Sequence, residues 1–119
     1  MHMQALRGAV QVPEDSQEAV TSGVRELLHT LFEQNTITSE EVVSVFFSQT
    51  GDLRSTNPAT AARESGYGSY AYFCLQELDV ENSLPRTIRV LIHLYRAENT
   101  PLIPVYIGGA RKLRPDLFE

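Results

Sequence analysis

The alternation of apolar and polar residues predicts five strands along this chain. In the segment 3–12 the even-numbered residues from Leu6 to Val12 lie on one face and Arg7 lies on the other, which is the pattern of a half-buried strand. Runs rich in β-branched and aromatic residues predict four more strands. These cover residues 42–48, 69–78, 86–95 and 104–107, and the composition of the first of them is typical of a strand buried on both faces.

Apolar residues at helical spacing predict one long and one short helix. The long helix runs to about residue 34, and Asp15 with Glu18 three residues later predicts a capping box at its start. The short helix begins after Asn57, which is followed by proline at the first helical position, and ends at Gly66.

This order of elements indicates an α+β fold. We expect a single mixed β-sheet of about five strands, covered on one face by one long and one short helix. At 119 residues the chain has the size of one domain, 1–119. Since the predicted elements supply no second layer, we expect the uncovered face of the sheet to associate with other copies of the chain.

The segment 72–91 combines two apolar runs with one charged residue in each. The polar connection 79–85 between the runs predicts a β-hairpin in which Glu77 and Arg89 lie side by side. Ionised groups on a largely apolar sheet cost several kcal/mol unless they are paired. The two residues therefore form either a structural ion pair or part of a ligand site. Alternation places Cys74 on the face opposite Glu77.

The overall composition narrows the class of protein. A hydrophobic fraction of 42% and a charged fraction of 21% are ordinary for a globular domain, and a net charge of -5 argues against nucleic-acid binding. The single cysteine excludes an internal disulfide and fits a reducing compartment. No apolar run is long enough to span a bilayer, and the N-terminus lacks a signal-peptide core, so we expect a cytoplasmic protein without membrane contact.

Nine of the ten basic residues are arginines. Arginine is well suited to bidentate recognition of carboxylates, although a genomic bias towards arginine would produce the same count. Arg7 precedes Gly8, which permits close approach, so Arg7 is either an anion contact or part of a solvated strand face.

The usual signatures of cofactor chemistry are missing from the sequence. Three scattered histidines and one cysteine offer no metal-ligand spacing, and no nucleotide-binding glycine motif is present. Cys74 is more simply a buried strand cysteine than a nucleophile. The remaining candidates predict binding of an anionic small molecule, and they suit catalysis by electrostatic stabilisation without metal or cofactor. They are Arg7, Arg63, Arg89, Glu77, Cys74 and Tyr106.

Six short motifs follow one another over nearly the whole chain. They are LRGA at 6–9, ARESG at 62–66, CLQELDV at 74–80, IRV at 88–90, VY at 105–106 and LRPDL at 113–117. In this order and spacing they resemble the small monofunctional chorismate mutases of the trimeric, sheet-rich bacterial class, which differs from the all-helical class. The pattern C-x-Q-E-x-D-V followed by I-R-V is the most specific part.

The resemblance implies an enzyme that rearranges chorismate to prephenate, on the route to phenylalanine and tyrosine, without a cofactor. It also implies a homotrimer whose sheets pack into a barrel-like centre, with three active sites at subunit interfaces. Both the substrate and the product are dicarboxylates, which fits arginines in an acidic protein.

The resemblance also implies roles for individual residues. Arg7 would bind a carboxylate with Tyr106 beside it, and Arg63 would assist from the rim. Arg89 would stabilise negative charge on the ether oxygen, and Glu77 would accept a hydrogen bond from the ring hydroxyl. Substrate binding would further involve Phe73, Cys74, Leu75 and Gln76.

Two other functions are compatible with the same residues. Small trimeric imine or enamine deaminases also bind carboxylates by arginine at subunit interfaces, and such an enzyme would hydrolyse a 2-aminoacrylate-type imine. A non-catalytic carboxylate-binding trimer would bind prephenate without turnover.

Overall fold

The computed structural model describes residues 1–118, which form one five-stranded mixed sheet with helices on one face. This architecture confirms the predicted α+β fold. The elements in chain order are β1 His2–Gln11, α1 Gln17–Gln34, β2 Val42–Gln49, α2 Pro58–Glu64, β3 Tyr72–Gln76, β4 Thr87–Arg96 and β5 Val105–Ile107. Two 3₁₀ turns, Ser39–Glu41 and Gly108–Leu113, precede β2 and follow β5.

The strand order β3-β2-β4-β1-β5 shows that the predicted hairpin between β3 and β4 is wrong. β2 lies between these strands, parallel to β3 and antiparallel to β4. The reason is the crossover through α2, because a strand–helix–strand connection places two strands in parallel. The connection 79–85 consequently spans the end of β2, where Glu77 N–H donates to the Gln49 carbonyl and Thr50 N–H to that of Thr87.

The two helices begin at side-chain caps. Ser16, and not Asp15 as predicted, caps α1, since its Oγ accepts a hydrogen bond from Ala19 N at 3.0 Å. The Asp15 carboxylate instead accepts from the backbone of Arg54 and Ser55, which ties the 50–56 loop to the start of α1. The predicted cap of α2 is confirmed, with Asn57 Oδ1 accepting from Thr60 N.

The hydrophobic core lies between the sheet and the helices. It contains the even-numbered residues of β1 and β4, for example Leu6 and Ile92, packed against one side of α1. β2 shows that burial is one-sided, because Phe47 is buried whereas Phe46 is only half-buried. The prediction that β2 is buried on both faces is therefore wrong, since no described element covers its second face.

We call this second face of the sheet, opposite α1 and α2, the open face. Several large apolar side chains are exposed on it, among them Met3 and Phe73, each 59% exposed. Arg7 of β1, Arg89 of β4 and Glu77, which directly follows β3, all lie on the open face. No helix among residues 1–118 combines the length and the apolar character that crossing a membrane requires.

Candidate active site

The strand register aligns five residues in a row across the open face, one from each strand. In spatial order they are Leu75 of β3, Ser48 of β2, Arg89 of β4, Ala9 of β1 and Tyr106 of β5. Neighbouring strands are roughly 4.8 Å apart, so adjacent side chains in this row are in reach of one another. Two small residues flank Arg89, which leaves room around its long side chain.

A cleft of about 560 Å³ opens above this row. Its apolar wall comes from Phe46, Leu75, Leu91 and Leu113, and its polar groups come from Arg7, Glu77, Arg89, Arg114 and Tyr106. Clefts of this size that combine an apolar lining with a few convergent polar groups are typical of small-molecule sites.

Glu77 and Arg89 meet on one wall of the cleft. Glu77 Oε2 accepts a hydrogen bond from Ser48 Oγ at 2.5 Å and lies 3.5 Å from Arg89 Nε. The side chains of Arg89 and Glu77 are 48% and 23% exposed, so neither charge is sealed from solvent. This partial exposure within a cleft favours a ligand site over a purely structural ion pair.

The remaining arginines make the cleft cationic. Arg7 forms no ion pair with any other residue in 1–118, which leaves its guanidinium available for an anion. Arg114 Nη2 lies 2.8 Å from Asp116 Oδ2. Hydrogen bonding to Asp116 raises the pKa of Arg114, and hydrogen bonding to Arg114 lowers the pKa of Asp116. Arg114 is therefore held in a fixed orientation at the cleft edge.

Sequence reasoning gave no site role to Arg114 or to Ser48. Arg114 belongs to the quoted LRPDL motif, but only the fold shows that the turn Gly108–Leu113 returns the chain to the cleft. Phe118 then packs edge-on against the Tyr106 ring at 6.2 Å between centroids. The one sequence feature that could have indicated a site role for Ser48 is its position as a polar residue next to the apolar residues of β2.

Two of the predicted site residues lie on the opposite side of β3. Cys74 is exposed there, so the expectation of a buried strand cysteine is wrong. The register from Tyr72 to Gln76 is unbroken, and no bulge brings Cys74 to the side of Glu77. Cys74 and Gln76 instead line a separate depression of about 400 Å³ that also includes Asn57.

Arg63 of α2 and Phe73 of β3 both lie outside the cleft. Arg63 is exposed on α2, with its Cζ 5.2 Å from the centroid of the Tyr72 ring. Burial raises the pKa of Tyr72 to about 12, so this ring is neutral at physiological pH. Phe73 lies on the open face, 6.2 Å from the Phe46 ring between centroids.

Within one chain, eight of the nine predicted site residues form two groups, and Phe73 belongs to neither. We call Arg7, Leu75, Glu77, Arg89 and Tyr106 the cleft set, and Arg63, Cys74 and Gln76 the rear set. The two sets lie on opposite sides of the sheet edge formed by β3. Residues 1–118 contain no cluster of three or more histidine, cysteine, aspartate or glutamate side chains that could hold a metal ion.

The fold and the cleft are those of a small α+β protein with an arginine-rich ligand cleft on one face of its sheet. Residues 3–117 match the model of the family described as chorismate mutase type I. The chain belongs to this family, which confirms the resemblance seen in the sequence motifs.

Individual relatives agree with the family match. The chain is 43% identical to chorismate mutase AroH of Thermus thermophilus, with 97% of this chain and 96% of that protein covered. It is 34% identical to chorismate mutase AroH of Bacillus subtilis (strain 168), over 98% and 94%. A solved chorismate mutase from Clostridium thermocellum is similar with a TM-score of 0.86 and 33% identity, over 92% of this chain and 98% of that one.

Proposed function

We propose that this chain converts chorismate to prephenate in the cleft of the open face, where Arg89 and Glu77 do the central chemical work. Membership of the type I chorismate mutases assigns the reaction, which makes the chain an isomerase. The observation that carries the site assignment is the pairing of opposite charges on one wall of a cleft that Arg7 makes cationic. The imine deaminase and the non-catalytic trimer have no comparable support.

The reaction is intramolecular: an ether C–O bond breaks while a C–C bond forms in the same molecule, so no group is transferred to the protein. Negative charge grows on the ether oxygen as its bond to carbon lengthens. Within residues 1–118 the terminal nitrogens of Arg89 donate no hydrogen bond, so they are available to that oxygen. Arg89 then stabilises the transition state more than the ground state, which raises kcat.

The residues of the cleft set also bind and orient the substrate. Arg7 binds a carboxylate through its guanidinium, which forms no ion pair within residues 1–118, with Tyr106 nearby as a hydrogen-bond donor. Glu77 accepts from the ring hydroxyl and balances positive charge that develops on the ring. The apolar wall around Leu75 holds the substrate in a compact reactive conformer, which supplies part of the rate enhancement.

The rear set contributes to catalysis if each active site is formed by residues from two copies of the chain. We propose a homotrimer in which the rear set of one subunit closes the cleft of its neighbour, so that Arg63 and Cys74 reach the substrate from a second copy. Support comes from the uncovered open face and from two exposed apolar side chains, Phe73 beside the cleft (59% exposed) and Leu75 in its wall (49%). Such an arrangement would also bury these apolar side chains.

The product would enter phenylalanine and tyrosine biosynthesis, and we place the enzyme in the cytoplasm. A reducing compartment suits a chain whose only cysteine is exposed and unpaired.

The test is an assay of the purified chain with chorismate in buffer that contains a chelator and no nucleotide. We expect the absorbance of chorismate to fall and prephenate to accumulate in equal amount. No depletion of chorismate would refute the proposal. Hydrolysis of a 2-aminoacrylate-type imine would then favour the deaminase, and thermal stabilisation by prephenate without turnover would favour a binding protein.

A further inference from the structure

We infer that Ser48 is a positioning residue for the reaction, because it fixes the carboxylate of Glu77 in the cleft. This inference rests on the proposed function. Ser48 is the second residue of the row across the open face, with Leu75 on one side and Arg89 on the other. Its Oγ donates a hydrogen bond to Glu77 Oε2.

Glu77 needs such a partner because of where it lies. It follows Gln76, the last residue of β3, and among residues 1–118 its backbone is held by one hydrogen bond, from its N–H to the Gln49 carbonyl. A glutamate side chain has three rotatable bonds and loses substantial rotamer entropy when it is fixed. Ser48 is short, and its strand is paired on both sides, so it offers a rigid anchor for the mobile carboxylate.

The hydrogen bond also decides which oxygen faces the substrate. Oε2 accepts the hydrogen bond from the Ser48 hydroxyl. The distance from Oε2 to Arg89 Nε is 3.5 Å, which is long for a hydrogen bond. Oε1 of Glu77 accepts no hydrogen bond from any group in residues 1–118. Ser48 therefore occupies one oxygen and leaves the other free for the ring hydroxyl of the substrate.

The same anchor acts on Arg89 indirectly. Because Glu77 Oε2 is the nearest carboxylate oxygen to Arg89 Nε, a fixed Oε2 limits the directions in which the guanidinium can turn. Loss of the Ser48 hydroxyl would therefore loosen both charged groups of the cleft wall without removing either. Misplacement of this kind reduces turnover more than substrate binding.

Ser44 provides a matched control on the same strand. It also lies on the open face of β2, and its Oγ lies 3.0 Å from His93 Nδ1, so Ser44→Ala removes a comparable hydroxyl contact. Ser44 does not line the cleft, and although its partner His93 does, neither residue forms a hydrogen bond with Glu77 or Arg89 within residues 1–118. The pair of alanine variants separates an effect on Glu77 from a general effect of losing a serine on this strand.

The experiment measures kcat and KM for chorismate in Ser48→Ala, Ser48→Thr and Ser44→Ala. We expect roughly a tenfold loss of kcat with KM within about twofold of wild type for Ser48→Ala, the size of one weakened charge-assisted hydrogen bond. Ser48→Thr keeps the hydroxyl and should restore most of kcat, and Ser44→Ala should behave as wild type. Thermal unfolding of each variant shows whether it is folded.

A double-mutant cycle tests whether Ser48 acts through Glu77. In the Glu77→Gln background we expect Ser48→Ala to reduce kcat by less than about twofold, because the group it positions is already gone. The same loss in both backgrounds, or a folded Ser48→Thr without recovery, would overturn the inference. If the wild-type protein turns over chorismate and Ser48→Ala is equally active, the role of Ser48 alone is overturned. If the wild-type protein does not turn over chorismate, the proposed function and this inference are both overturned.

Discussion

At the scale of single residues, the proposed chemistry of the cleft depends on two contacts of the Arg89 side chain, one with Glu77 and one with the ether oxygen of the substrate. Its Nε lies 3.5 Å from Glu77 Oε2, and its terminal nitrogens donate no hydrogen bond within residues 1–118. A planar guanidinium can make both contacts, whereas an ammonium group cannot. Lysine could supply the charge but could not contact Glu77 and the ether oxygen at the same time.

Replacement of Arg89 by lysine tests these two contacts. We expect Arg89→Lys to lose roughly 100- to 1000-fold in kcat, the usual cost of removing one preorganised donor to a developing oxyanion. Arg25→Lys is the matched control, because Arg25 is exposed on α1, which covers the other face of the sheet. Turnover by Arg89→Ala at the wild-type rate would contradict the assigned role.

At the scale of elements, an ion pair joins the start of β2 to the end of β4. Arg96 Nε donates to Glu41 Oε2 at 2.8 Å, and Arg96 Nη2 donates to the carbonyls of Asn35 and Thr36. Arg96 thus ties three segments together: the end of α1, the turn Ser39–Glu41 and β4. Hydrogen bonding to Arg96, with a further contribution from the Thr38 backbone, lowers the pKa of Glu41.

The lowered pKa of Glu41 predicts a pH-dependent contribution to stability. Because the pKa is lower in the folded state, the pair stabilises the fold above the ordinary pKa of 4.5, and this contribution is lost as the pH falls through the folded-state value. Glu41→Gln should therefore reduce the free energy of unfolding by about 1 kcal/mol at pH 7 and by much less at pH 3. Urea unfolding at both pH values measures the difference.

Glu40 supplies the control for this prediction. It is the exposed neighbour of Glu41 in the same turn, and it forms no ion pair with any residue in 1–118. Glu40→Gln should leave the free energy of unfolding unchanged at both pH values. A Glu41→Gln variant with an equal deficit at pH 7 and pH 3 would show that the effect is not electrostatic.

At the scale of the whole molecule, the division between the cleft set and the rear set predicts shared sites. Light scattering should give about three times the chain mass of 13.3 kDa, and a monomer would refute the shared-site proposal. Arg63 belongs to the rear set and Arg89 to the cleft set, so in a trimer they would serve one site from different subunits.

Mixed trimers provide a direct measurement of shared sites. Arg63→Ala and Arg89→Ala should each have low activity, but co-expression should restore about a quarter of the wild-type sites, since each mixed ring contains one site with both arginines. Co-expression of Arg89→Ala with Glu77→Gln is the control, because both changes fall in the cleft of one subunit and no intact site forms. Recovery in the control, or none in the first mixture, would contradict shared sites.

Local sequence patterns were sufficient to predict the strands and helices and the alternation of side chains along each strand. Alternation is enforced by the pleat of each strand, so it placed Arg7 opposite Leu6 and Glu77 opposite Cys74 without knowledge of the neighbouring strands. The cap of α2 at Asn57 was predictable for a similar reason, since it depends on groups only three residues apart.

The neighbours of each strand and of each charged residue become known only from the folded chain. The crossover through α2 inserts β2 between β3 and β4, and this insertion brings Ser48 between Glu77 and Arg89. The return of the chain after β5 brings Arg114 to the same cleft. Such contacts join residues far apart in the chain, and their geometry is set by packing and register, which no local pattern encodes.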